Sequence, residues 1–326
     1  MSSFALLGAL LVGAAFGYAA QRGAFCMNSG LRGAIQGDWT KVKALALAVA
    51  VQLLLLPAIF ATGLDRPSGL PLAPLGAVVG GLLFGLSMRW AGGCAAGVWY
   101  KLGAGDLGAL LAVLGMALGA TAGESGPLAG VRSSLQAALP AAPPWIASPP
   151  VSLGAGLVLL AALARLPDGR AGAWSWRRTG LWVGLASALA WPLSAGFGRD
   201  FGLAVVPGST GLLSAVAGRP FPAWDVLLVL GVLLGGWLGA RRNGPVTLGA
   251  PKSAVLLKRF AGGLGLGIGA SIANGCTVGQ GLTGLGLLAP SAFVVMAAIF
   301  GGSTVATLGA RRLEAASASL VPSSSR

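Results

Sequence analysis

The chain has 326 residues, of which 55% are hydrophobic and 9% charged, and its 22 Lys and Arg outnumber 8 Asp and Glu to give a net charge of +14. A soluble domain carries roughly a quarter charged residues, so this chain lacks the polar groups to cover its own surface, and its solvent is lipid. The basic excess lies in short connections between apolar runs and forms no aromatic-interleaved basic face, which excludes nucleic acid as a partner. With no His, no CxxC pair and three well-separated cysteines, zinc, haem and a disulfide framework are excluded, and no cofactor, metal or catalytic residue is expected.

Nine apolar runs follow one another, over residues 4–20, 42–62, 73–90, 107–122, 151–164, 180–197, 224–240, 255–273 and 290–310. Runs near the length needed to cross a hydrocarbon core of about 30 Å predict transmembrane helices. The expected fold is an all-α polytopic membrane protein with about nine such helices and short re-entrant helices between them. Residues 1–20 are apolar and end in small residues, as a signal peptide does. They lack a basic leading region, the first positive charge being Arg22, and are read as a span that is kept. The run at 151–164 is short and flanked by Pro149, Pro150 and Pro167, which suits a tilted or partial crossing.

The charges orient these spans. Nine crossings place Arg22, Arg32, Lys41, Lys43, Arg89, Lys101, Arg165, Arg170, Arg177, Arg178, Arg241, Arg242, Lys252, Lys258, Arg259, Arg311, Arg312 and Arg326 on one face, 18 of the 22 positive charges. Arg66, Arg132, Arg199 and Arg219 fall on the other. The positive-inside bias then sets the N-terminus outside and the C-terminus in the cytoplasm. The expected organisation is an N-terminal repeat over 1–123, a linker with an extra span over 124–179, a C-terminal repeat over 180–310 and a disordered cytoplasmic tail over 311–326.

An internal repeat carries two of the cysteines: AGGCAAG at 91–97 matches ANGCTVG at 273–279, each after an apolar run. A weaker match sets RGAFC at 22–26 beside GRDFG at 198–202, so that the second half lacks the other cysteine. Equivalent spans are then five apart, and an odd offset inverts one half relative to the other, a plan of transporters and channels. Glycines beside Cys26, Cys94 and Cys276 predict that the helices break there. In lipid, backbone freed by such breaks must be buried in protein or line a polar cavity, and N–H groups aimed from half-helices suit an anion. Neutral thiols are the expected form, since a thiolate would repel an anion. Lys101 and Arg22, at cytoplasmic membrane ends, read either as snorkelling cations or as anion attractants. Asn274 and Gln280, flanking Cys276, read either as caps or as ligand hydrogen-bonders. Glu124 belongs at the external rim, and the glycines of 262–269 read as close helix packing rather than a nucleotide loop.

The segments QRGAFCMNSGLRGA at 21–34, AGGCAAGVWYKLGAGDLGA at 91–109 and ANGCTVGQGLTG at 273–284 resemble the YeeE/YedE family of bacterial sulfur-compound transporters. That resemblance implies an hourglass-like inner-membrane protein whose two halves meet centrally, and import of thiosulfate or a related sulfur or selenium anion. It further implies a path lined by Cys26, Cys94 and Cys276, whose thiols hydrogen-bond the substrate and pass it along, and a small cytoplasmic sulfur-carrier protein as partner. From the order of spans, an anion entering from outside meets Cys276 first. A membrane thiol-redox enzyme, which the missing CxxC disfavours, and a non-transporting assembly subunit are the other classes compatible with the residues.

Overall fold

In lipid a backbone can satisfy its own N–H and C=O groups only as helix or closed barrel, and helix is what every one of these apolar runs adopts. The computed structural model describes residues 3–64, 70–140 and 147–319. Its first half comprises α1 (Ser3–Arg22), α2 (Met27–Ala34), α3 (Thr40–Ala61), α4 (Pro74–Ala91), α5 (Ala95–Gly103) and α6 (Leu107–Glu124). After α7 (Ala129–Ala137) and α8 (Pro149–Ala164), the second half comprises α9 (Trp176–Ala195), α10 (Val206–Val216), α11 (Ala223–Arg241), α12 (Ser253–Ile272), a π-helical turn (Gly279–Gly284) and α13 (Pro290–Ser319). Among the described residues six segments are long and apolar enough to cross a membrane: α3, Pro74–Gly103, α6, α11, α12 and Pro290–Arg312 within α13. The protein is a multi-pass helical membrane protein.

Long and short elements alternate in the same order in both halves: long, short, long, long, short, long. The packing obeys the same exchange. α1 lies against α11 and its counterpart α9 against α3; α6 lies against α12 and its counterpart α13 against α4; α1 with α9 and α4 with α12 close the set. The short elements follow suit, α5 packing on α11 where the π-turn packs on α3. α8 stands outside this scheme, against α3.

Close approach of these helices depends on residues without side chains. A Cβ on Gly17 of α1 would lie 2.2 Å from Val232 O of α11, and one on Gly235 would lie 2.0 Å from Ala14 O. Likewise a Cβ on Gly263 or Gly267 would lie 2.2 Å from Ala112 O or Met116 O of α6. The glycines of 262–269 are thus close-packing contacts, the small-residue seam by which membrane helices gain dispersion without a hydrophobic driving force.

Two stretches of the sequence reading look different in three dimensions. Part of the supposed linker folds as α7 and is joined to the end of α12. The last helix continues past residue 310 to Ser319, because residues 311–319 carry nothing that breaks a helix; residues 320–326 of the expected tail lie outside the described residues. So does Arg66, one of the four cations expected on the sparsely charged face.

Candidate functional site

Each cysteine follows a helix that ends in the same way. Two residues before Cys26, Cys94 and Cys276 stand Ala24, Gly92 and Asn274, with left-handed φ values of 47°, 74° and 54°. A left-handed residue just past the last turn reverses the chain and satisfies the final carbonyls. Phe25 N accordingly donates back to Ala20 O, and Gly275 N to Ala270 O, both at 2.8 Å. Cys26 and Cys94 then begin the next element, capping α2 and α5 in extended conformation, whereas Cys276 lies two residues before Val278, the cap of the π-turn. Alanine adopts this geometry only at a cost of roughly 1–2 kcal/mol, so Ala24 is a strained position that surrounding structure holds in place.

The fold brings two of the three thiols together. Cys26 and Cys94, distant in sequence, lie with sulfurs 3.9 Å apart and buried. The floor beneath them is Gly97: a Cβ there would lie 2.7 Å from Cys26 Sγ and 3.3 Å from Cys94 Sγ. One turn further along α5, on the same face, is Lys101, whose Nζ donates to Gly92 O at 2.5 Å. From the start of α3, Lys41 Nζ donates to Ser29 Oγ at 2.7 Å, and Ser29 Oγ in turn donates to Cys26 O at 3.1 Å. Arg22 is not part of this group; its guanidinium is bound to Asn243 Oδ1 at 2.5 Å, in the connection after α11.

Cys276 stands apart, buried at the wall of a cavity of about 290 Å³ that is also lined by Glu124, Arg132, Arg199, Phe201, Ser271 and Asn274. Val278 N donates to its sulfur at 3.4 Å. Both cations of the cavity are pinned. Arg132 of α7 donates from Nε to Ser271 O at 2.9 Å, and Gln136 donates to Ile272 O at 3.1 Å, so α7 covers carbonyls left over at the end of α12. Arg199 pairs with Asp225 of α11 at 2.8 Å and donates to Gly202 O at 2.9 Å. Burial lowers the Arg199 guanidinium from its ordinary value while Asp225 and Asp200 draw it back up.

Asn274 is exposed in its left-handed turn, and its carbonyl accepts from Gln280 Nε2 at 2.9 Å. Gln280 is buried in the π-turn, with Oε1 facing Ser291. That turn is held from α3 by Gln52, whose amide donates to Leu282 O at 3.1 Å and whose Oε1 accepts from Ser187 at 2.9 Å. The two halves also meet through Trp99 of α5, which donates to Ser209 of α10 at 2.9 Å. N-cap position pairs Cys26 with Val205, three residues beyond the Gly202 that the sequence match suggests. A loop of different length before α10 accounts for the shift.

Lys41, Arg132 and Arg199 were not singled out from sequence as site residues. Arg132 and Arg199 carried a signal as two of four cations on the sparsely charged face. Lys41 looked like any flanking lysine, and Gly97 entered only as one of the glycines that mark the break at Cys94.

Residues 22–305 match the profile of the sulphur transport family. The chain belongs to that family. It is 31% identical over 314 residues to the thiosulfate transporter TsuA of Escherichia coli K12, covering 85% of this chain and 86% of that protein. To the thiosulfate transporter TsuA of Spirochaeta thermophila it is 33% identical over 316 residues, covering 89% and 94%. Membership makes this a transport protein and not an enzyme, so the adjacency of Cys26 and Cys94 is read in terms of transport.

Proposed function

We propose that the protein imports thiosulfate, or a closely related sulfur or selenium oxyanion, from periplasm to cytoplasm across the bacterial inner membrane. The observation that supports this most directly is three buried thiols, each two residues beyond a left-handed helix break. In this reading nine crossings set the N-terminus outside, the halves are inverted about a central waist, and the anion passes from Cys276 to the Cys26–Cys94 pair. The exchange of packing partners between halves supports the two-fold plan. Thiol S–H groups donate to the substrate's terminal sulfur. Such bonds are weak, which suits a path that must also release its cargo. Asn274 and Gln280 shape the Cys276 turn, and a small cytoplasmic sulfur-carrier protein receives the product at the inner mouth.

The test is growth on thiosulfate as sole sulfur source of a sulfate-uptake-deficient bacterium expressing this chain. The wild-type chain should restore growth and Cys94→Ala with Cys276→Ala should abolish it. Growth that persists in the double variant would refute the thiol path.

A further inference from the structure

Each cysteine-bearing break has one cation fastened to it. Lys101 is tied to Gly92 O, in the break of Cys94; Lys41 is tied through Ser29 to Cys26 O; Arg132 is tied to Ser271 O, in the last turn before the break of Cys276. All three are partly buried, and among the described residues none makes an ion pair with a carboxylate. Arg199, by contrast, is paired directly with Asp225, while Arg132 and Lys41 feel Glu124 and Asp38 only from beyond ion-pair distance.

Ordinary explanations cover this pattern poorly. A lysine in the last turn of α5 suits the helix dipole, but Lys41 is the second residue of α3, where a cation is disfavoured. A half-buried ammonium loses hydration that one hydrogen bond to a neutral oxygen only partly replaces. Each tether also leaves donors over: a lysine has three and an arginine five, and each of these side chains spends one on the break. Lys41 and Lys101 lie within electrostatic reach of Cys26 and of each other. Arg132 shares the cavity of Cys276.

We infer that every thiol on the path works with its own cation, Cys276 with Arg132, Cys94 with Lys101 and Cys26 with Lys41, the thiol meeting the sulfur end of the anion and the cation its charged oxygens. This deepens the transport reading and rests on it. Such two-point stations explain how weak thiol donors could hold a dianion at all: the cation supplies attraction and the thiol supplies sulfur recognition. They also give the anion a fixed heading, oxygens toward the charge and sulfur toward the thiol.

The test uses labelled thiosulfate uptake into proteoliposomes holding the full chain. Arg132→Gln should raise KM at least tenfold, because the anion first meets that cation. Lys41→Gln and Lys101→Gln should lower the maximal rate at least tenfold with KM less affected, and Lys41→Arg and Lys101→Arg should recover part of it. On the wild-type protein, methanethiosulfonate, which keeps the terminal sulfur and loses one charge, should compete with thiosulfate at least tenfold more weakly than unlabelled thiosulfate does. That measurement stands even if a Gln variant fails to insert. Equal competition, or inserted Gln variants with wild-type kinetics, would overturn the pairing while leaving transport intact. A wild-type chain that moves no thiosulfate would instead sink the transport reading and the pairing with it.

Discussion

At Cys94 the chain leaves α4 through Gly92, and at Cys276 it leaves α12 through Asn274; both residues are left-handed, but Cys94 caps α5 whereas Cys276 lies three residues ahead of the π-turn. The turns are alike and the surroundings are not. Three residues on, Gly97 lies against two sulfurs, whereas a Cβ at Gly279 would find nothing nearer than Phe201 at 4.0 Å. Seven residues on, the first break has Lys101, tied back to Gly92 O, and the second has Thr283, buried and donating to Leu203 O at 2.7 Å. The cations near Cys276 are arginines on other elements, one of them locked to Asp225. Similar turns are thus furnished with guanidinium forks at one break and ammonium groups at the other, a planar multi-donor cation against a point charge.

The largest expected effect comes from unbalancing the Arg199–Asp225 pair. Arg199→Leu leaves Asp225 buried without its partner, which should cost about 3–5 kcal/mol. Thermal unfolding of the protein in detergent should show it, and Arg199→Leu with Asp225→Leu should recover much of the loss. If the single variant is as stable as wild type, the ion pair is not what anchors this cavity.

A smaller effect separates the two glycines. Gly97→Ala places a methyl between Cys26 and Cys94, an overpacking worth about 1–3 kcal/mol that should part the sulfurs and depress thiosulfate uptake. Gly279→Ala has room and should transport normally. Equal uptake by both variants would mean that the thiol pair is unimportant at its observed spacing.

The smallest effect tests the shared turn. Gly92→Ala forces a side chain into left-handed backbone and against the Arg259 guanidinium, and should cost about 1–2 kcal/mol. Ala24→Gly should move stability the other way, by up to about 1 kcal/mol, because the strain is removed. The same unfolding measurement reads both, and shifts of the same sign would contradict a common break geometry.

Much of this was legible in the residues. Apolar run lengths set the helices, because in lipid no other element of that length satisfies its backbone. Glycines beside each cysteine marked the breaks. Ala24 gave no such warning, since alanine does not ordinarily turn left-handed; its role shows only in φ. Arg132 was hidden because a proline- and alanine-rich stretch reads as linker, and nothing local says that it folds back as α7 over the end of α12.

By itself, then, the sequence determined the solvent, the helices and the three breaks, all of which follow from local composition and the price of an unsatisfied backbone group in hydrocarbon. Tertiary structure alone decided which thiols are neighbours and which cation each break holds. Cys26 and Cys94 meet because the N-cap ends of α2 and α5 converge over Gly97. Lys41, Lys101 and Arg132 reach the breaks on side chains whose direction depends on how whole helices pack, and no spacing along the chain encodes that.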